Sequence, residues 1–198
     1  VGDFNSYNTR ITGHAMQYRK GWADPFQVPD EYQGIHWVGD LMVEADLQIS
    51  KSQGDLVLEV VEAGHRFQTV IDLATGEARC QVLPWESDQA VAVGGTAKTA
   101  LSNQGKHSVL FANVDDQLLL WVDNRLVEFS EPTTYEWQAL LGHRRDALPK
   151  TGDNHPGDLA PVGVATRGAE LAIERLRVWR DIYYIAAVEP MSLGGREH

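Results

Sequence analysis

Residues 41–49 alternate without a break, with Leu41, Val43, Ala45, Leu47 and Ile49 on one side and Met42, Glu44, Asp46 and Gln48 on the other. A strand repeats every two residues and a helix every 3.6, so only an extended backbone sorts this stretch into one apolar and one polar face. Such a strand belongs at the surface of an antiparallel sheet, and its apolar side needs a second layer to cover it. Further strands are predicted at 56–62, 65–72, 77–83, 106–112, 117–122 and 125–129, with shorter candidates at 11–18 and 90–93. Turn chemistry separates them at Gln53-Gly54-Asp55, Glu62-Ala63-Gly64, Ala74-Thr75-Gly76, the 113–116 segment and Asp123-Asn124. The Asp-Asn pair between two apolar runs is a hairpin signal, because both residues tolerate the positive φ angles that two-residue turns use. Gly94-Gly95 and 103–105 read as interruptions.

The pattern predicts an all-β fold, an antiparallel sandwich of about 11 to 14 strands. The stretches 159–165 and 171–179 read as its closing strands. Leu171, Val178, Ile182 and Ile185 also fit a helical spacing, but the β-compatible run through Ile185 favours strands. A polar stretch at 130–161 is too long for a connector and is expected to dock on the domain, with a helical turn at 137–141. The length of 198 residues suits a single domain over 1–198, with 1–6 and 190–198 peripheral. The stretch 21–34 reads as a long ordered loop.

Charge and residue usage narrow the function. A net charge of −11 opposes approach to phosphate backbones and anionic surfaces, so nucleic acid is not an expected partner. The concentrated basic groups are Arg144-Arg145 and the spaced Arg175, Arg177 and Arg180. No window reaches the ~18 apolar residues of a membrane span, so direct membrane insertion is not expected. No basic region followed by an apolar segment opens the sequence. A single cysteine, Cys80, forms no internal disulfide and leaves the compartment open.

Glu44, Asp46 and Gln48 are the main candidate site, since alternate spacing puts all three on one strand face. Retaining glycosidases hold two carboxyl groups about 5 Å apart, one as nucleophile and one as acid/base. The segment resembles the Glu, Asp, Glu strand motif of laminarinase-type glycoside hydrolases, with Glu44 at the nucleophile position and Asp46 at the supporting carboxylate. Gln48 stands where that motif has its acid/base glutamate, and an amide does not transfer the proton. The face therefore reads as plain sheet exterior or as a binding surface for carbohydrate, with a divergent glycoside hydrolase centred on Glu44 as the remaining alternative, and no catalytic residue is assigned. Ser50-Lys51-Ser52 holds serine and lysine side by side, but neighbouring strand positions point to opposite faces and suit no dyad. Trp22, Trp85 and Trp137 lie in loop-like contexts and are candidates for the same binding face, whereas Trp121 and Trp179 lie in strands. The seven histidines show no metal-ligand spacing, Asp115-Asp116, Asp123-Asn124 and 152–154 lack the regular oxygen spacing of a calcium loop, and no phosphate-cradling glycine motif occurs. No metal or cofactor is expected.

Six stretches together, WVGDLMVE (37–44), GHRFQ (64–68), IDLATGEA (71–78), FANVDDQLLLWVD (111–123), DLAPVGVA (158–165) and LRVWRDIYYI (176–185), resemble the large insert of planctomycetal signal peptidase I-like proteins. The resemblance spans about residues 7–188 of the sequence. It implies a concanavalin A-like or laminin G-like jelly roll on the extracytoplasmic side of a membrane-anchored parent. It implies a noncatalytic accessory domain whose partners are the parent peptidase domain, an exported polypeptide or a glycan. The parent's serine and lysine are implied to lie outside this segment, and neither role transfers to Ser50, Ser192, Lys51 or Lys150. Gly152-Asp153-Asn154 matches a fragment of the peptidase's Gly-Asp-Asn segment, without the Ser and Asp-Ser-Arg pattern that follows it there.

Overall fold

The computed structural model describes residues 2–3, 36–37, 39–85, 87, 89–143, 148–153 and 155–180. The strand expected at 11–18, the loop at 21–34, Trp22 and the run 182–185 lie outside these residues. Two short strands, β1 (Gly2–Asp3) and β2 (His36–Trp37), pair as a small sheet. Ten further strands form two five-stranded sheets. They are β3 (Leu41–Lys51), β4 (Asp55–Glu62), β5 (His65–Asp72), β6 (Glu77–Leu83), β7 (Val91–Lys98), β8 (Gly105–Val114), β9 (Gln117–Val122), β10 (Arg125–Leu126), β11 (Val162–Arg167) and β12 (Glu170–Arg180). The front sheet runs β10-β9-β8-β3-β12 and the back sheet β11-β4-β5-β6-β7, with every pairing antiparallel. This is an all-β, jelly-roll-like sandwich, and no described helix is long and apolar enough to cross a membrane. The chain divides into one compact unit of residues 1 and 37–181, which carries both five-stranded sheets, and another of 2–36 and 182–198.

The alternation that opens the sequence is the rule for the core. From the front sheet, Leu41, Val43, Leu47, Ile49, Val109, Phe111, Leu118 and Leu120 are buried, and from the back sheet Leu56, Leu58, Phe67, Ile71, Ala78, Cys80 and Val82 meet them. Three reversals, Ala63-Gly64, Asp115-Asp116 and Asp123-Asn124, have positive φ at both central residues, the geometry that matches the twist of the flanking strands. The sequence places the second of these turns across 113–116, but Asn113 and Val114 are ladder residues of β8. Gly94-Gly95 also differs from expectation. The pair does not end a strand but sits in β7 as a bulge, with Cys80 opposite Val93 and Arg79 opposite Thr96.

The strand expected at 125–129 is cut to two residues because the chain leaves the front sheet to cross toward the back. The Ser130 N–H donates to Thr96 O at 3.0 Å on β7, while Leu118 N–H donates to Thr133 O at 3.1 Å on β9. The crossing segment ends in the short helix α1 (Trp137–Leu141), where the sequence places a helical turn. A buried polar chain fastens this segment: the Tyr135 hydroxyl donates to Asn113 Oδ1 at 2.8 Å, and Asn113 Nδ2 donates to Glu62 Oε2 at 2.9 Å. Buried polar groups are tolerated when bonded in this way.

Candidate functional site

β3 lies between β8 and β12, and antiparallel partners directly opposite one another share a face. The register puts Arg177 opposite Glu44, Arg175 opposite Asp46 and Trp179 opposite Met42. The side chains close these pairs. Arg175 Nη2 lies 2.6 Å from Asp46 Oδ2 and 4.0 Å from Glu44 Oε1, Arg177 Nη1 lies 3.5 Å from Glu44 Oε1, and the Trp179 indole N–H donates to Glu44 Oε2 at 2.7 Å. The Arg177 guanidinium carbon stands 5.8 Å from the centre of the Trp179 ring, within cation–π range. The indole is thus held at its N–H and beside one face, while the ring remains 46% exposed.

Across the sheet the same face turns apolar. Glu44 is opposite Leu110 on β8, Leu110 opposite Trp121 on β9, and Trp121 opposite Leu126 on β10. One transverse row therefore reads Leu126, Trp121, Leu110, Glu44, Arg177, and the neighbouring row carries Met42 and Trp179. Gln48 lies opposite Ala172 and Lys106. Each carboxylate of the Glu44–Asp46 pair faces a guanidinium, so the charged half of this face is balanced.

Of the residues singled out in the sequence, Glu44, Asp46 and Gln48 are together on this face. Trp137 and Trp85 are elsewhere. Trp137 is buried in the core, its ring centre 6.4 Å from that of Phe67 and 5.7 Å from that of His65. Trp85 fills a loop cradle, edge-on to His155 at 5.5 Å. A Cβ added to Gly64 would collide with its ring, and Gly64 has φ +78 besides, so that position needs glycine. Trp22 lies outside the described residues. Sequence reading missed Arg175, Arg177 and Trp179 as site residues. The signal was present, since Arg-x-Arg-x-Trp alternation at 175–179 complements Glu-x-Asp at 44–46.

Other chemistry is dispersed. Lys51, the lysine beside Ser50 and Ser52, is paired with the Glu170 carboxylate. Among the described residues no three His, Cys, Asp or Glu side chains cluster as a metal site. The back sheet's outer face carries a polar ladder in which Gln81 Nε2 donates to Gln68 Oε1 at 2.8 Å and Gln68 Nε2 donates to Glu59. Its described residues include no aromatic ring. A groove of about 700 Å³ beside Lys98, Asp123, Arg125 and Glu128 has mixed charges, with Lys98 3.7 Å from Glu77 and Asp123 bonded to His107 at 2.9 Å.

The buried His65 gives the Trp85 cradle a pH response. Its Nδ1 accepts the Trp85 backbone N–H at 2.9 Å, which selects the neutral ring with its proton on Nε2. Burial, with a smaller contribution from the Lys150 charge, pushes its pKa down from 6.5 to about 4, against the opposing pull of Asp158. The unfolded chain takes up this proton first as pH falls, so the neutral ring's stabilisation is complete above pH 6.5 and is lost progressively toward pH 4. The loss expected from this group is about 3 kcal/mol. Urea unfolding at pH 7.5 and pH 4.5 checks it: a His65→Gln variant should lose markedly less stability over that interval than the parent.

No protein-family model and no curated protein matches this chain. Several solved structures are similar to it. A carbohydrate binding module from Bacillus subtilis is 13% identical over 73% of this chain and 84% of that one, with a TM-score of 0.43. Sheep galectin-11 in complex with glycerol is 11% identical over 72% and 92%, also at 0.43. The mouse laminin alpha1 chain, domains LG4-5, is 14% identical over 74% and 41%, at 0.33. The two-sheet architecture rests on the strand pairing itself.

Proposed function

We propose that the protein is a noncatalytic binding domain whose front-sheet face, centred on Trp179, Glu44, Asp46, Arg175 and Arg177, holds neutral carbohydrate. The observation that carries the reading is the held but half-exposed Trp179 ring beside two carboxylate–guanidinium pairs. A sugar ring offers an apolar C–H face and a rim of hydroxyls. The first suits a fixed indole, and the second suits planar groups whose remaining donors and acceptors are already oriented. Because the two arginines are matched by two carboxylates, uronates and sulfated sugars gain no net attraction there.

A hydrolytic role finds less support. Glu44 is engaged by Trp179 and Arg177, Asp46 by Arg175, and Gln48 is an amide, so the second carboxyl group that a retaining glycosidase needs as proton donor is not supplied by this motif. The resemblance to the planctomycetal signal peptidase insert supports an extracytoplasmic placement beside a peptidase, where such a face would engage an envelope polymer.

The test is saturable binding across a panel of neutral and acidic oligosaccharides, followed by calorimetry on the best ligands. Micromolar to millimolar binding of neutral members is expected. Binding confined to acidic members, or none at all, contradicts the reading.

A further inference from the structure

Among the described residues β12 is the outer strand of the front sheet, and its inward-pointing side chains are uncovered: Ile173 is 44% exposed, Leu176 49% and Val178 47%. An eleven-residue edge with exposed apolar positions is a template for another strand. The face pattern along it says which strand fits. Leu171, Ile173, Leu176 and Val178 lie opposite the inward residues Ile49, Leu47, Ala45 and Val43, whereas Ala172, Arg175 and Arg177 lie opposite the outward Gln48, Asp46 and Glu44. The bulge between Ile173 and Arg175 puts Glu174 beside Arg175, both across from Asp46. Read from 171 to 178, the pattern is in, out, in, out, out, in, out, in, which is the same in both directions about the Glu174–Arg175 bond.

We propose that the protein forms a two-fold dimer in which β12 pairs antiparallel with β12 of a second copy, with the axis between Glu174 and Arg175. In that register Ile173 meets Leu176 of the second copy, Leu171 meets Val178, and Ala172 meets Arg177, so each pair shares a face. Glu174 meets Arg175. Lys106 Nζ already lies 2.9 Å from both Glu174 oxygens, and Arg175 lies 2.6 Å from Asp46. Across the axis the signs then run Lys106, Glu174, Arg175, Asp46, alternating without a like-charge contact. Moving the axis to Arg175 sets apolar against polar positions, and moving it to Leu176 puts Arg175 against Arg177. An isologous contact of this kind closes on itself and produces a dimer rather than a filament. A bulge ordinarily bends an edge away from pairing; here two identical bulges meet at the axis, so the two bends match. The inference stands on the edge strand alone and is independent of the carbohydrate reading.

Light scattering and sedimentation equilibrium test it on the full chain, at about 1 to 100 µM protein. The parent should be dimeric in the upper part of that range, and Leu176→Lys should weaken association at least tenfold with an unchanged circular dichroism spectrum. Two charge variants test the register. Glu174→Arg alone sets arginine against arginine, and Arg175→Glu alone sets glutamate against glutamate, so each should be monomeric. Mixed in equal amounts, they should restore the dimer, because each arginine then faces a glutamate. A parent that stays monomeric throughout, a dimer that survives Leu176→Lys, or a mixture that fails to associate overturns the proposal.

Discussion

A Phe67→Ala variant is expected to lose about 3–5 kcal/mol of stability, the range for emptying a fully buried aromatic site. Phe67 is completely buried on the inner face of β5, and its ring centre lies 5.3 Å from that of Tyr135 and 6.4 Å from that of Trp137. It therefore supports two layers at once, the contact between the sheets and the seat of the crossing segment. The neighbouring Arg66 points to the other face, and Arg66→Ala should change stability by about 0.5 kcal/mol or less. Urea midpoints at constant slope measure both. A loss below about 1 kcal/mol at Phe67 would mean that the crossing segment does not pack on the core as described.

The second large effect is on binding. Trp179→Ala removes the exposed ring while leaving the four charged side chains, and affinity for a neutral oligosaccharide should fall at least tenfold, or about 1.4 kcal/mol. Stability should change little, since nearly half of the ring is in solvent and its lost partners are surface groups. Trp179→Phe separates the contributions. It keeps a ring but removes the N–H that Glu44 accepts, so an affinity between those of the parent and the alanine variant is expected. Equal losses in the two variants would assign the effect to the held orientation rather than to the ring's area. No loss in either would remove Trp179 from the site.

Sequence and structure agree where the physics is local. The period at 41–49 is a property of successive side chains, the Asp123-Asn124 turn follows from φ tolerance at two residues, and the reversal at Ala63-Gly64 is signalled by Gly64. Misreadings arose where pairing decides. Gly94-Gly95 is a breaker in isolation, yet in β7 it is a bulge that the partner strand β6 accommodates. The strand at 125–129 has suitable residues throughout, but it ends early because Ser130 bonds across to β7.

The site divides along the same line. That Glu44 and Asp46 share a face follows from a spacing of two. That they meet Arg175, Arg177 and Trp179 depends on pairing the first strand of the sheet with its last, 135 positions away for the Glu44–Trp179 bond. Tryptophans judged by their local context fared differently for that reason. Trp85 sits in a turn and Trp137 opens the short helix α1, but the segments carrying them fold back onto the domain, and Trp137 completes the core. Trp179 sits in a strand, yet among the described residues on an edge, and its ring is half in solvent.

Titration of the isotope-labelled protein with the tightest-binding neutral oligosaccharide, followed by amide and indole shifts in nuclear magnetic resonance, tests the central claim most directly. The account predicts saturable shifts at Glu44, Asp46, Arg175, Arg177 and the Trp179 indole, with Trp121 next. Shifts centred on the back-sheet ladder at Gln68 and Gln81, or in the groove at Asp123 and Arg125, would contradict it.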